Sequence, residues 1–416
     1  MAPAAGSPTY RVRVDLDRSD PPIWRRLDLR ADLPLDVVHL ALQAAFDWEN
    51  RHPYRFALGG GPFDTGSQHY LCDGDEELDE GSGRPASQVS LLDVLREPGD
   101  RLAYVYDFGD CWELTINLEQ VRSELDDSPA ATFVDGRRAA PPEDSRGMTV
   151  PADAGPCDPD RINQALHGPL FAALAGGVDS RLIALISRLP DSGTFHRLVG
   201  ALPQLTTAPD HLDDNAVVAN FSAHRWFLNR AVDEGIPLTS AGYMKPADVA
   251  AASGLVPEMA DWIGKNNREA NCIPLLDFRH SLQLLGLLRK FKGTLTLTRA
   301  GVAAQHDPTT LWRYVAAKLN PADNDTFESH ATLLLLAQAG GTEDGLLRFD
   351  ELAWALTQLG WRDGAGGRVQ PRHLAQLAAC EVLRNVCDRP RKFAEHDWVS
   401  PAASTLARAA LRRRRA

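Results

Sequence analysis

Two carboxylates and an indole crowd the stretch Tyr106-Asp107-Phe108-Gly109-Asp110-Cys111-Trp112, and His39, His52, Glu143 and Asp144 stand far from it in sequence. Imidazole and carboxylate together make a ligand set for a hard or borderline divalent cation, which in a hydrolase activates water and polarises the substrate. The same residues have a plainer use. Turn carboxylates accept backbone N–H bonds, a histidine beside an apolar stripe is most often a satisfied structural one, and tryptophans pack cores, each burying ~200 Å². The plainer use is the expectation for Trp24, Trp48 and Trp112, and no catalytic residue, metal or cofactor is expected. A metal-dependent hydrolase or nuclease-like activity at the His/Asp cluster is the alternative.

The elements that must hold these groups are strands. Leu102, Tyr104 and Tyr106 alternate before the turn; Trp112, Leu114, Ile116 and Leu118 alternate after it with Glu113, Thr115, Asn117 and Glu119. A period of two puts one apolar face on a core and one polar face toward water. The turn is expected to use Gly109 at positive φ, with aspartates capping nearby amides. Tyr10, Val12, Val14 and Leu16 predict another half-buried strand, and Ile23, Leu27 and Leu29 a second. Asp32 is read as the N-cap of a helix with Pro34 in its first turn, its apolar stripe formed by Leu35, Val38, Leu42, Ala45 and Phe46. The implied fold is α+β, a mostly antiparallel sheet with helices on one face.

Tyr106-Asp107-Phe108-Gly109-Asp110-x-Trp112 resembles the signature of the plasmid pRiA4b ORF-3-like family. The other landmarks follow the family's order: Pro21-Pro22-Ile23-Trp24-Arg25-Arg26, Val38-His39, Trp48 with His52 and Phe56, and Arg137-Arg138-Ala139-Ala140-Pro141-Pro142-Glu143-Asp144. The resemblance spans residues 9–155 and implies a fold and a plasmid or mobile-element character rather than a reaction. His39, His52, Tyr106, Asp107, Gly109, Asp110, Trp112, Glu143 and Asp144 are the candidate ligand-binding residues it marks. Two departures remove ligands that the pattern carries. Leu114 stands where a histidine is usual, and Ser145-Arg146-Gly147 where cysteine and glycines follow.

Over 416 residues, two or three domains are expected. No apolar run approaches the ~20 residues that cross a bilayer, no secretory leader pattern opens the chain, and a cytoplasmic protein with a short disordered tail at 1–8 is expected. The six cysteines include no C-x-x-C pair, which argues for packed thiols rather than zinc or disulfides. The glycine run at 59–61 lacks the Lys-Ser/Thr of a phosphate loop, and the acidic run from Asp73 to Glu80 lacks the glycine and glutamate of a calcium loop. Charge is uneven: residues 201–416 hold 25 basic against 23 acidic side chains, and residues 1–200 hold 19 against 33. Phosphate backbones repel the first part, so DNA contact is assigned to the second.

A helical connector is expected at 156–215 and helical domains at 216–330 and 331–416. Residues 281–301 read as the end of a helix, a basic turn at Gly293, a strand from Thr294 to Leu297, and a helix capped by Thr298. This resembles a winged helix, with Arg289, Lys290, Lys292 and Arg299 as candidate nucleic-acid contacts. The last part repeats the plan loosely, Ser400-Pro401 taking the place of Thr298-Arg299. The expected role is therefore a non-enzymatic binding protein with a protein partner and possible DNA contact through its C-terminal half. A protein–protein scaffold without nucleic acid is a further alternative.

Overall fold

The computed structural model describes residues 7–72, 83–122, 129–145, 155–322, 325–392, 395 and 397–413. Most of the expected tail and the acidic run from Asp73 lie outside them. The chain divides into two compact units, one running to Gly176 and one from Gly177 to Arg413.

The first unit is built on eight strands: β1 Thr9–Leu16, β2 Ile23–Arg30, β3 Tyr54–Leu58, β4 Gln68–Leu71, β5 Arg84–Pro85, β6 Arg101–Tyr106, β7 Trp112–Arg122 and β8 Ala131–Arg137. Their order across the sheet is β5-β4-β3-β6-β7-β1-β2-β8, antiparallel except for the short β4/β5 pair. Strict alternation decides the two faces. Tyr10, Val12, Val14, Leu27, Leu29, Leu102, Leu114 and Ile116 are buried on one of them. The opposite face carries ion pairs across strands, Arg11 to Asp28 at 2.8 Å and Arg26 to Glu119 at 2.7 Å. Trp24 belongs to this polar face, where the Arg13 and Arg26 guanidinium groups lie 4.6 and 5.2 Å from its ring centroid, so it is not a core tryptophan.

Helix α1, Leu35–Phe46, has its apolar stripe buried, followed in the chain by the short α2, Leu91–Val94. The residue flanking α1 is Pro34, with no side-chain cap; Asp32 pairs with Arg30 at 2.5 Å instead. Arg25 is the one cation placed inward on β2. Its Nε donates to the Ala45 carbonyl at 2.7 Å, in the last turn of α1, and its guanidinium covers the Phe46 ring at 4.8 Å. A cation at a helix C-terminus suits both the unpaired carbonyls and the dipole. Strand β8 falls within residues 120–160, a stretch rich in Pro, Asp, Ser and Gly. Helix α3, Pro159–Leu166, supports this edge strand: Asn163 accepts from the Phe133 amide at 2.8 Å and donates to its carbonyl at 3.3 Å. Helix α4, Pro169–Ala175, ends the unit.

The second unit opens with α5 Ser180–Ser187, α6 Gly193–Thr207 and α7 Asp214–Asn220. Then come α8 Ser222–Arg230, strand β9 Ile236–Pro237, α9 Pro246–Ser253, α10 Ile273–Leu284, β10 Leu288–Phe291, β11 Thr294–Leu297, α11 Arg299–His306 and α12 Pro308–Leu319. The strands form an antiparallel sheet in the order β10-β11-β9. A second passage follows through α13 Phe327–Gly341, α14 Phe349–Gln358, α15 Pro371–Ala375, α16 Ala378–Asn385 and α17 Pro401–Leu411, with three helices where the first passage has α9 and α10. Here one bridge, Leu346 with Trp398, stands where β9 and β11 pair.

The two passages share their fastenings. Thr298 Oγ1 donates to the Gly286 carbonyl at 2.6 Å and accepts from the Gly301 amide, starting α11. Ser400 Oγ donates to the Val386 carbonyl at 2.5 Å and accepts from the Ala403 amide, starting α17. Gly235 and Gly345 sit at φ +74° and +75°, where a Cβ would lie 2.5 Å from the Leu295 carbonyl and 2.7 Å from that of Val399. Only glycine fits a left-handed backbone that close to another strand.

His224 of α8 shows how dry this unit is. It is fully buried, 4.8 Å from the Phe221 and Phe278 rings, and neither ring nitrogen has a hydrogen-bond partner among the described residues. Burial brings its pKa down from 6.5 to about 3. A folded pKa below the unfolded one means that the unfolded chain takes up the proton first. The stability contributed by the neutral ring is therefore present above pH 6.5 and is lost as pH falls toward 3, by up to ~1.4 kcal/mol per pH unit. His224→Leu should remove that slope, so urea unfolding at pH 7, 6 and 5 should show the variant gaining on the parent at each step. Parallel pH profiles for the two proteins would show that His224 does not resist protonation.

Candidate functional site

The tip of the β6–β7 hairpin gathers residues from three distant segments. Tyr106 pairs with Trp112 at the end of the ladder, and both side chains face inward. The Tyr106 hydroxyl donates to Glu143 Oε1 and accepts from the Arg51 and His52 amides at 2.9 and 3.3 Å. Burial, followed by the bond to Glu143, pushes its pKa well above the usual phenol value, so the phenol keeps its proton. Glu143 Oε1 also accepts from the Glu49 amide at 2.9 Å, and the Pro141 carbonyl accepts from Trp48 Nε1 at 2.9 Å. Trp48 stacks on Tyr106 with centroids 5.2 Å apart and lies 6.3 Å from Trp112. The Pro141–Asp144 loop is thus held to the segment following α1.

Around this pin stand His52, Asp107 and Asp144. Their ligand atoms lie within 4.8 Å of one another, with His52 Nε2 3.1 Å from Asp144 Oδ1 and 3.6 Å from Asp107 Oδ2. Asp107 is buried and uses its other oxygen to accept from the Gly109 and Asp110 amides at 3.0 and 3.3 Å. The positive φ values of the turn belong to Asp107 and Cys111, at +56° and +55°, not to Gly109. Gly109 is suited to its place for another reason: a Cβ there would crowd Asp107 Oδ1 at 3.3 Å. Asp110 contributes its amide to the turn, and its carboxylate is outside the three-residue cluster.

His39 is placed elsewhere. It is buried on α1, with Nδ1 2.7 Å from the Tyr104 hydroxyl, Nε2 2.7 Å from Asn50 Oδ1, and its ring stacked 3.6 Å from that of Tyr54. Burial, partly offset by the Asn50 bond, lowers its pKa to about 3. Both nitrogens are used, and the ring is a structural one. Asn50, Gln43 and Tyr104 complete this network, with Gln43 Nε2 3.3 Å from Tyr104 Oη and Gln43 Oε1 accepting from the Asn50 amide at 3.0 Å. Sequence pattern gave no sign of these partners, because the inward positions of a strand and a helix meet only in three dimensions.

The basic residues of the second unit occupy the β10–β11 hairpin. Arg289, Lys290 and Lys292 are exposed, with Phe291 51% exposed among them. Lys292 at φ +46° and Gly293 at +77° form the two-residue tip, and Arg299 is exposed at the start of α11. None of the four cations has an ion-pair partner among the described residues. The expected strand at Thr294–Leu297 is present, but helix α10 is not laid bare as a reading helix. It packs on α16, and its most exposed positions are Ile273, Asp277, His280 and Leu284. Burial, with the charges of Glu258 and Asp277 beside it, pushes the Glu381 carboxyl up to about 8 on that packed face. The region is acidic.

Residues 8–153 match the family described as plasmid pRiA4b ORF-3-like protein. The chain is similar to uncharacterized protein y4hQ of Sinorhizobium fredii, 31% identical over 138 residues; the match spans 33% of this chain and 66% of that relative, just under two thirds. A crystal structure of a protein of unknown function from Methanosarcina mazei Go1 is 27% identical over 34% of this chain and 75% of the other, with a TM-score of 0.30. The family and these relatives carry no assigned function.

The geometry makes the Tyr106 hydroxyl the fastening of the site. Tyr106→Phe should cost ~1–3 kcal/mol in urea unfolding, since it strands a carboxylate and two amides. Amide exchange at residues 49–52 and 143–145 should quicken more than in the sheet. Unchanged stability and exchange would mean that the Glu143 segment is held by other contacts.

Proposed function

We propose that this chain is a binding protein whose second unit contacts duplex DNA through the β10–β11 hairpin. The observation that carries the reading is the set of exposed cations Arg289, Lys290, Lys292 and Arg299, without ion-pair partners among the described residues, at the hairpin and the helix it leads into. The order α8, β9, α9, α10, β10, β11, with β9 and β10 on either side of β11, is similar to a winged helix in which this hairpin is the wing. Arg289 and Lys292 flank the Phe291 ring at 5.5 and 5.3 Å, which orders their heads while leaving them open to solvent. Contact through such a wing is contact with phosphates, which positions a duplex without reading its sequence. The outward face of α10 has no arginine or lysine to read base edges. A first domain of the opposite charge balance would stay clear of the backbone.

Fluorescence anisotropy with a labelled duplex at increasing salt tests this. Neutralising three or four phosphates predicts a slope of log K against log salt of about −3, with little dependence on sequence. Lys290→Glu combined with Lys292→Glu should weaken binding about tenfold or more and flatten the slope by about two. No saturable binding at about 50 mM salt, or an undiminished affinity in the double variant, would leave the second unit as a protein–protein scaffold.

A further inference from the structure

We propose that the first domain holds one divalent cation of the manganese-to-zinc class between His52 Nε2, Asp107 Oδ2 and Asp144 Oδ1. Two donors bound to one such ion at about 2.1 Å lie about 3.0 Å apart in adjacent octahedral positions and about 3.4 Å apart in tetrahedral ones. The separations from His52 Nε2 are 3.1 Å to Asp144 and 3.6 Å to Asp107. The two separations from His52 Nε2 are therefore close to those of neighbouring ligands, and all three donors lie within 4.8 Å of one another.

The hydrogen bonding points the same way. His52 Nε2 is shut off from solvent and makes no hydrogen bond among the described residues, although two carboxylate oxygens stand within ion-pair distance. A nitrogen aligned with neither oxygen is poorly placed to donate a proton to them and well placed to share an ion. Two more polar atoms, one on the hairpin and one on the Glu143 loop, are buried without partners among the described residues. Glu143 Oε2 belongs to the residue next to Asp144, and Trp112 Nε1 belongs to a side chain only 8% exposed that pairs across the ladder with Tyr106. Buried polar groups are almost always satisfied, so three unmatched atoms around one hairpin tip are informative.

The donors are also oriented as ligands are. Asp107 has one oxygen fixed by the Gly109 and Asp110 amides, which aims the other at His52. The His52 backbone amide is held by the Tyr106 hydroxyl, and Glu143, the neighbour of Asp144, is held by the same oxygen. One imidazole with two carboxylates suits borderline ions; calcium and magnesium favour oxygen alone. The Asp144 side chain is 63% exposed, so the ion would keep open positions facing solvent for water or an anionic ligand. This inference is independent of DNA contact by the second unit.

The experiment uses the full chain, stripped with a chelator and titrated with Mn²⁺, Co²⁺ and Zn²⁺ by calorimetry and thermal shift, with Mn²⁺ also followed by its electron paramagnetic signal. One ion should bind per chain, raising the melting temperature by several degrees at about a hundredfold excess over Kd. His52→Ala and Asp144→Asn should each weaken binding at least tenfold, whereas Asp110→Asn should not. Asp144 is exposed on a loop, so its variant should melt at the parent temperature without metal, which separates a lost ligand from a lost fold. The absence of stoichiometric binding, or binding that survives both His52→Ala and Asp144→Asn, would overturn the proposal.

Discussion

One phenolic oxygen decides the shape of the hairpin tip. Tyr106 reaches it because Leu102, Tyr104 and Tyr106 share the inward face of β6, and the last of them emerges where the ladder ends. There it meets two amides that no strand satisfies and a carboxylate from a loop 37 residues away. A hydrogen bond to a charged acceptor in a half-buried setting is worth more than a neutral one, and leaving these partners unmatched would cost more still. The polar face of the same sheet holds more ion pairs. Exposed pairs of that kind contribute ~0–1 kcal/mol each, so they tune the surface without fixing its register. Remove the phenol and neither His52 nor Asp144 has a reason to stay beside Asp107.

The strands that frame this arrangement were legible because alternation is a local property. β1, β2, β6 and β7 follow directly from apolar residues two apart. Features set by partners were not. β8 has only Ala131 and Phe133 buried, since α3 rather than a long apolar row supports it, and its glycine and charges read as loop. Trp24 looked like core by residue type, yet its parity on β2 places it among arginines. Gly109 looked like the residue taking positive φ, whereas Asp107 takes it and is compensated by binding two amides through its own side chain. His39 and His52 were alike in sequence. What separates them is neighbours: the first has two hydrogen-bond partners at 2.7 Å, and the second has two carboxylates and no bond from Nε2.

In the second unit the repeated plan is carried by punctuation rather than by hydrophobic pattern. Thr298 and Ser400 each close off one helix and open the next, and Gly235 and Gly345 each let one strand approach another. Such residues can be recognised without an alignment, because few side chains meet their constraints. The packing of α10 on α16 could not be recognised. An apolar helix face shows that something covers it, but not which helix does, and here the covering helix comes from the other passage of the same plan. That packing moves the weight of any nucleic-acid contact from the helix to the hairpin.

Two departures remove ligands that the family pattern carries: Leu114 stands where a histidine is usual, and Ser145-Arg146-Gly147 where cysteine and glycines follow. The register puts the first of these away from the hairpin tip. Leu114 pairs with Tyr104, one inward position deeper than the Tyr106–Trp112 pair, and is fully buried. Its level in the sheet is that of the Tyr104–His39 hydrogen bond, where both ring nitrogens are already occupied. The groups that converge at the tip are His52, Asp107 and Asp144, and none of them depends on residue 114. A leucine there follows from a dry core beneath the site, and a dry floor strengthens the electrostatic pull of the carboxylates above it. The departure at residue 114 therefore leaves the proposed cation site resting on its own three donors, their spacing and a nitrogen that has no hydrogen-bond partner among the described residues.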